Sequence, residues 1–167
     1  MTANPLEPDW ESSRSLAPDD TEPAPRILVA DDEPVIRRLN CNMLTTAGHQ
    51  VDAVADGAAA WDLLEHRSYD LLITDHSMPK LTGLELLKKL RNEGLTLPVI
   101  MATGTLPIDE FSLHLWLQPV VALLKPYGVA EFLNAVKVVL QAANGGCGDI
   151  TLEPCQHSQT VAPGLRL

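Results

Sequence analysis

Five side chains able to do chemistry stand where short apolar runs of this sequence end. Asp31 and Asp32 follow "RILVA", Asp75 follows "LLIT", Thr103 follows "VIMA" and Lys125 follows "VVALL". If these runs are parallel strands of one sheet, three carboxylates, a hydroxyl and an ammonium meet at a single edge. Two carboxylates ~4 Å apart repel by roughly 4 kcal/mol at an effective dielectric of 20. Such a cluster must protonate, separate or recruit a cation. Mg²⁺ suits it, because this hard ion takes a few carboxylate or carbonyl oxygens and completes its shell with water and a phosphate oxygen. A carboxylate beside that ion can attack a phosphoryl group. Lys125 and the Thr103 hydroxyl would then bind the remaining phosphoryl oxygens. A plainer reading lets Asp31 and Asp32 cap the helix that follows them.

The elements that must position these groups are legible as alternating patterns. Strands are expected at 26–31, 50–55, 70–75, 97–102 and 120–124. Helical periodicity covers 33–48, with Val35, Ile36, Leu39, Met43, Leu44 and Ala47 on one face and Gly48 at the C-terminal cap. It returns at 57–67, where Trp61 and Leu64 face inward, at 83–93, which Gly94 stops, and at 129–143. The apolar stretch 107–117 is ambiguous and supplies the fifth helix of the pattern. Strands alternating with helices over residues 26–143 imply parallel strands joined by right-handed crossovers. Strands that are apolar throughout imply helices on both faces. The expected fold is therefore α/β, a doubly wound five-stranded parallel sheet with five helices.

Composition narrows the possibilities further. Of the net charge of −10, residues 1–25 hold −5, with six acids and five prolines, and read as a disordered acidic leader. Residues 144–167 open with Gly145-Gly146 and read as a flexible tail, too short for a second domain or a DNA-binding module. No basic cluster could neutralise a row of phosphates, so nucleic acid is not an expected partner. No apolar run approaches the ~20 residues of a membrane span and no secretion signal is evident, so the expected location is the cytoplasm. Cys41, Cys147 and Cys155 read as reduced thiols; zinc binding with His157 is the weaker alternative.

Four segments together, "VADDEP" (29–34), "LLITDHSMPKLTG" (71–83), "MATG" (101–104) and "LLKPY" (123–127), resemble the receiver domain of bacterial two-component response regulators. The resemblance spans about residues 26–143 and implies the flavodoxin-like fold of the chemotaxis regulators. It implies Asp75 as the acceptor of a phosphoryl group from a sensor histidine kinase or a histidine phosphotransfer protein. It implies Mg²⁺ held by Asp31, Asp32, Asp75 and the backbone carbonyl of Ser77, with Thr103 and Lys125 completing the site and a cis Lys125-Pro126 bond. The chain departs from the family at Ala122, where an aromatic side chain usually reorients on phosphorylation. The neighbouring apolar stretch, 106–119, either packs Phe111 or Trp116 over that space or docks a downstream protein together with β-strand residues up to 124. His76 is expected to be exposed beside the site. Two competing functions remain: a phosphorylation-independent interaction module on the same fold, and an aspartate-nucleophile phosphohydrolase. The second wants an acid two residues after the nucleophile, where this chain has Ser77. The receiver itself is expected not to be an enzyme beyond weak self-catalysed phosphotransfer and dephosphorylation.

Overall fold

The structure, a computed structural model, describes residues 23–104 and 120–145. Its elements are β1 (Arg26–Ala30), α1 (Pro34–Thr46), β2 (Gln50–Val54), α2 (Gly57–His66), β3 (Leu71–Asp75), α3 (Gly83–Asn92), β4 (Val99–Thr103), β5 (Val120–Leu124) and α4 (Val129–Asn144). The five strands form one sheet in the order β2-β1-β3-β4-β5, and every pairing is parallel. The expected fold class is therefore present. The fifth helix, the leader and the tail were expected at positions that lie largely or wholly outside the described residues. Among the described residues no helix is long and apolar enough to cross a membrane.

Alternation along the strands sorts the core into two layers. Leu28, Ala30, Leu72, Val99 and Met101 face one side, where Trp61 of α2 and Leu84, Leu87 and Leu90 of α3 cover them. Ile27, Val29, Leu71, Ile73 and Ile100 face the other, beneath Met43 and Leu44 of α1 and Phe132, Val136 and Leu140 of α4. Burial on both faces explains why the inner strands β1, β3 and β4 read as nearly continuous apolar runs, while the edge strand β2, with Gln50 and Asp52, does not. Trp61 is core, as expected, and its outer ring face carries the Lys89 ammonium 4.1 Å from the centroid.

Two expectations need correction. β4 starts at Val99 rather than at residue 97, because Pro98 has no N–H to give the ladder and contributes only its carbonyl, to Leu72. The inward face of α1 is also rotated. Val35 and Leu39 are 69% and 46% exposed, whereas Asn40 is buried beside Met43 and Leu44. The 3.6-residue period places position 40, not 39, over the sheet one turn before Leu44.

The helix ends match their sequence signals. Pro34 opens α1, Asp56 accepts the Ala59 N–H at the start of α2, and Thr82 with Glu85 forms a capping box on α3. Gly48 and Gly94 adopt φ of +90° and +74° where α1 and α3 stop.

The chain runs outward from β1 to β2 and then back past β1 to β3. This reversal opens a crevice at the carboxyl ends of β1 and β3, where ligands of doubly wound sheets bind. Gly83 closes the β3–α3 loop onto that edge, donating its N–H to the His76 carbonyl at 3.1 Å. A Cβ at Gly83 would overlap the Asp75 carbonyl, and neither backbone can yield cheaply. Gly83→Ala is expected to destabilise the fold by about 1–3 kcal/mol, read as a lower urea midpoint; an unchanged midpoint would contradict the close approach.

Candidate functional site

Asp31 leaves β1 with its side chain only 2% exposed. Burial of a carboxylate is tolerable only if its oxygens are paired. Oδ1 accepts the Glu33 N–H at 2.9 Å, and Oδ2 accepts from Lys125 Nζ at 3.1 Å. Asp75 ends β3, two strand positions of the sheet away from β2, and is partly buried. Its Oδ1 accepts from the same Lys125 Nζ at 2.8 Å, and its Oδ2 accepts the Ser77 N–H at 3.1 Å. One ammonium thus bridges two carboxylates that the sheet has placed on adjacent strands.

Lys125 is aimed inward by the end of β5. Its N–H donates to the Thr103 carbonyl at 2.8 Å, and the following bond to Pro126 is cis, as expected. Thr103 is itself buried at the end of β4, next to the residue paired with Asp75. Burial would lower the Lys125 pKa, yet its hydrogen bonds to Asp75 and Asp31 and their charges outweigh that and raise it. The side chain is therefore a fixed cation across the neutral range.

The expected residues are not all gathered equally. Asp31, Asp75, Lys125 and the Ser77 amide form one bonded group, and Thr103 adjoins it through Lys125. Asp32 is exposed to solvent. Among the described residues no three His, Cys, Asp or Glu side chains lie together as a metal-ion cluster. Lys125 now lies between the two aspartates, where it offsets part of their repulsion. The donor set nevertheless fits Mg²⁺. Its carboxylates and peptide carbonyls are hard oxygens, and each bonded oxygen of Asp31 and Asp75 keeps a second lone pair. Three acids against one lysine also leave the charge that a divalent ion would balance.

Sequence reasoning missed several neighbours. Arg37 Nη1 donates to the carbonyls of Asp31 at 2.6 Å and Asp32 at 3.3 Å, holding the acidic loop from α1. His76 is half-buried rather than exposed, and its Nδ1 is buried without a hydrogen-bond partner. Lys80 sits at φ +67°, and its Nζ lies 2.7 Å from Asp56 Oδ2, tying the loop that carries Ser77 to the start of α2. Gly57 reinforces that contact, since a Cβ there would overlap the Leu81 carbonyl. No local pattern points from Lys80 to Asp56, 24 residues away.

Comparison with known proteins identifies the family of this fold. The response regulator receiver domain pattern matches residues 27–137. This chain belongs to the response regulator receiver family. It is 31% identical over 84% of its length to the alkaline phosphatase synthesis transcriptional regulatory protein SphR of Synechococcus elongatus, covering 58% of that protein. It is 36% identical over 85% of its length to the response regulator RppA of Synechocystis, covering 65% of it. The chain thus spans less than two thirds of these relatives. The response regulator TrrA of Thermotoga maritima, solved in complex with Mg²⁺ and BeF, has 30% identity and a TM-score of 0.62, over 69% of this chain and 98% of that one. Receiver relatives also occur inside sensor kinases: EvgS of Escherichia coli is 40% identical over half of this chain, which covers 7% of that protein.

The Lys80–Asp56 clasp has a pH signature. The hydrogen bond from Lys80, then that from the Ala59 N–H, holds the Asp56 carboxyl below its ordinary value of 3.8. A depressed folded-state value contributes stability above the unfolded value and loses it as pH falls through the folded one. Lys80→Met is therefore expected to lower the urea midpoint at neutral pH, with the gap to the native receiver closing below about pH 3.8. A gap that stays constant through the acid range would show that Lys80 does not act through this carboxylate.

Proposed function

We propose that this receiver is a phosphorylation switch, accepting a phosphoryl group on Asp75 from a phosphohistidine of a sensor kinase or a histidine phosphotransfer protein. The observation that carries the reading is the Lys125 ammonium bonded to both Asp31 and Asp75 at the carboxyl edge of the sheet. A lone carboxylate is a weak nucleophile toward a dianionic phosphoryl group, since like charges repel. Fixed positive charge at the point of attack removes that barrier.

In the transfer, an Asp75 oxygen forms the new bond to phosphorus as the phosphorus–nitrogen bond to the donor imidazole breaks, and the imidazole takes up a proton as it leaves. Lys125 already touches Asp75 and needs only a small rotation to follow charge onto a phosphoryl oxygen. The Ser77 N–H lies at the other Asp75 oxygen and orients the carboxylate. Thr103, buried at the strand end beside the site, supplies a hydroxyl for a second phosphoryl oxygen. Mg²⁺ held by Asp31, Asp32, Asp75 and the Ser77 carbonyl would screen the remaining phosphoryl charge. The protein acts in the cytoplasm, without nucleic-acid contact, and hands its signal to another protein. The exposed apolar side chains of Val35 and Leu39, on the helix that leaves the acidic loop, favour a protein partner at this edge.

Ala122 supports a second reading. It is small and exposed on β5, where a side chain would otherwise swing with phosphorylation. Output then runs through residues 106–124 by an altered switch, or the fold serves as a phosphorylation-independent interaction module. Trp116, the side chain expected to take part, lies outside the described residues.

The test is incubation with a small acyl phosphate and Mg²⁺, read by intact mass. The native receiver is expected to gain one phosphoryl group and Asp75→Asn none. No gain at any Mg²⁺ concentration would leave the phosphorylation-independent module. Rapid turnover of a phosphate ester would instead make the protein a hydrolase.

A further inference from the structure

Beneath the site, α1 touches both of the loops that supply its charges. Arg37 Nη1 grips the backbone of Asp31 and Asp32. Three residues on, Asn40 is 1% exposed, within a layer that is otherwise apolar. Its Nδ2 donates to Tyr127 Oη at 3.1 Å, and that hydroxyl lies 3.3 Å from Asn40 Oδ1, to which it donates. Tyr127 is two residues beyond Lys125, and its ring stacks on the buried Phe132 at 5.5 Å and 13°. Positions 37 and 40 lie on one face of a helix.

Packing alone does not call for this pair. The buried Asn40 amide must find a partner, and the half-buried Tyr127 hydroxyl supplies it, whereas two apolar side chains of the same size would fill the space with no such demand. What a polar pair adds is direction: it accepts only one register of the Tyr127 loop against α1. Lys125 needs that register, because its ammonium must reach oxygens on two different strands within about 3 Å.

We propose that Arg37 and Asn40, with Tyr127, are positioning residues that make α1 the gauge between the acidic loop and Lys125. The inference rests on the phosphoacceptor reading above and names which residues outside the site set its geometry. Arg37 fixes the Asp31 and Asp32 carbonyls, and Asn40 fixes Tyr127 and, through two residues of chain, Lys125. None of the three touches the reacting atoms.

Four variants test it: Asn40→Leu, Tyr127→Phe, the double Asn40→Leu/Tyr127→Phe, and Arg37→Met. Thermal midpoint, rate of phosphoryl gain from a small acyl phosphate at saturating Mg²⁺, and Mg²⁺ affinity by calorimetry are measured for each. Either single change leaves the other polar group of the pair without its partner, so both midpoint and rate are expected to fall. The double change restores an apolar contact and with it the midpoint, while the rate stays about tenfold below native. Arg37→Met keeps the side-chain stem and is expected to weaken Mg²⁺ binding about fivefold or more at nearly native midpoint. If the double variant regains the native rate together with the native midpoint, the pair is only structural and the inference is overturned. If that variant does not fold, Arg37→Met decides: native Mg²⁺ affinity and native rate overturn the inference, and their loss supports it. Absence of phosphoryl gain by the native protein would instead overturn the phosphoacceptor reading itself.

Discussion

The site depends on one ammonium held between two carboxylates. Asp31 is taken almost wholly out of water, and an unpaired buried charge is among the costliest features a fold can contain. Lys125 meets Asp31 and Asp75 together, so each bond strengthens the case for the other: the acids raise the lysine's pKa, and the lysine makes their proximity tolerable. Deleting one partner of a buried pair of this kind typically costs about 3–5 kcal/mol. The arrangement remains anionic once Asp32 is counted, which leaves it receptive to a divalent ion and a phosphoryl group.

The rest of the fold can be understood as what brings these three side chains to one edge. A parallel sheet turns all its carboxyl ends the same way, and the return from β2 past β1 places Asp31 and Asp75 on neighbouring strands. β5 pairs with β4, and the Thr103 carbonyl takes the Lys125 N–H, so the last strand releases its lysine toward the same crevice. The loops are then pinned from the side. Lys80 and Gly57 hold the β3–α3 loop against α2, and Gly83 lets α3 start directly under Asp75.

The sequence was most legible where the physics is local. Apolar runs of about five residues and the glycines Gly48 and Gly94 each state their conformation within a few positions. The acids and the lysine were legible because each follows a buried strand. Contacts between distant segments left no such trace. Asn40 and Tyr127 are 87 residues apart, and Lys80 and Asp56 are 24 apart; neither pair has a periodicity to betray it. Leu39 belongs to the expected apolar face of α1 yet is exposed, whereas the polar Asn40 is buried and paired with Tyr127, a partner that no pattern within the helix announces. Asp32 was expected inside the acidic cluster, but its side chain turns to solvent while its carbonyl stays with Arg37.

The division of the interior into two layers has an evolutionary corollary. Leu28 and Ile27 are neighbours in the chain yet belong to different half-interiors, separated by the backbone of the sheet. A volume change under α2 and α3 can be compensated only by partners in that half, and one under α1 and α4 only in the other. Lineages descending from this chain can therefore remodel one flank while the opposite flank, and whatever it contacts, keeps its ancestral shape.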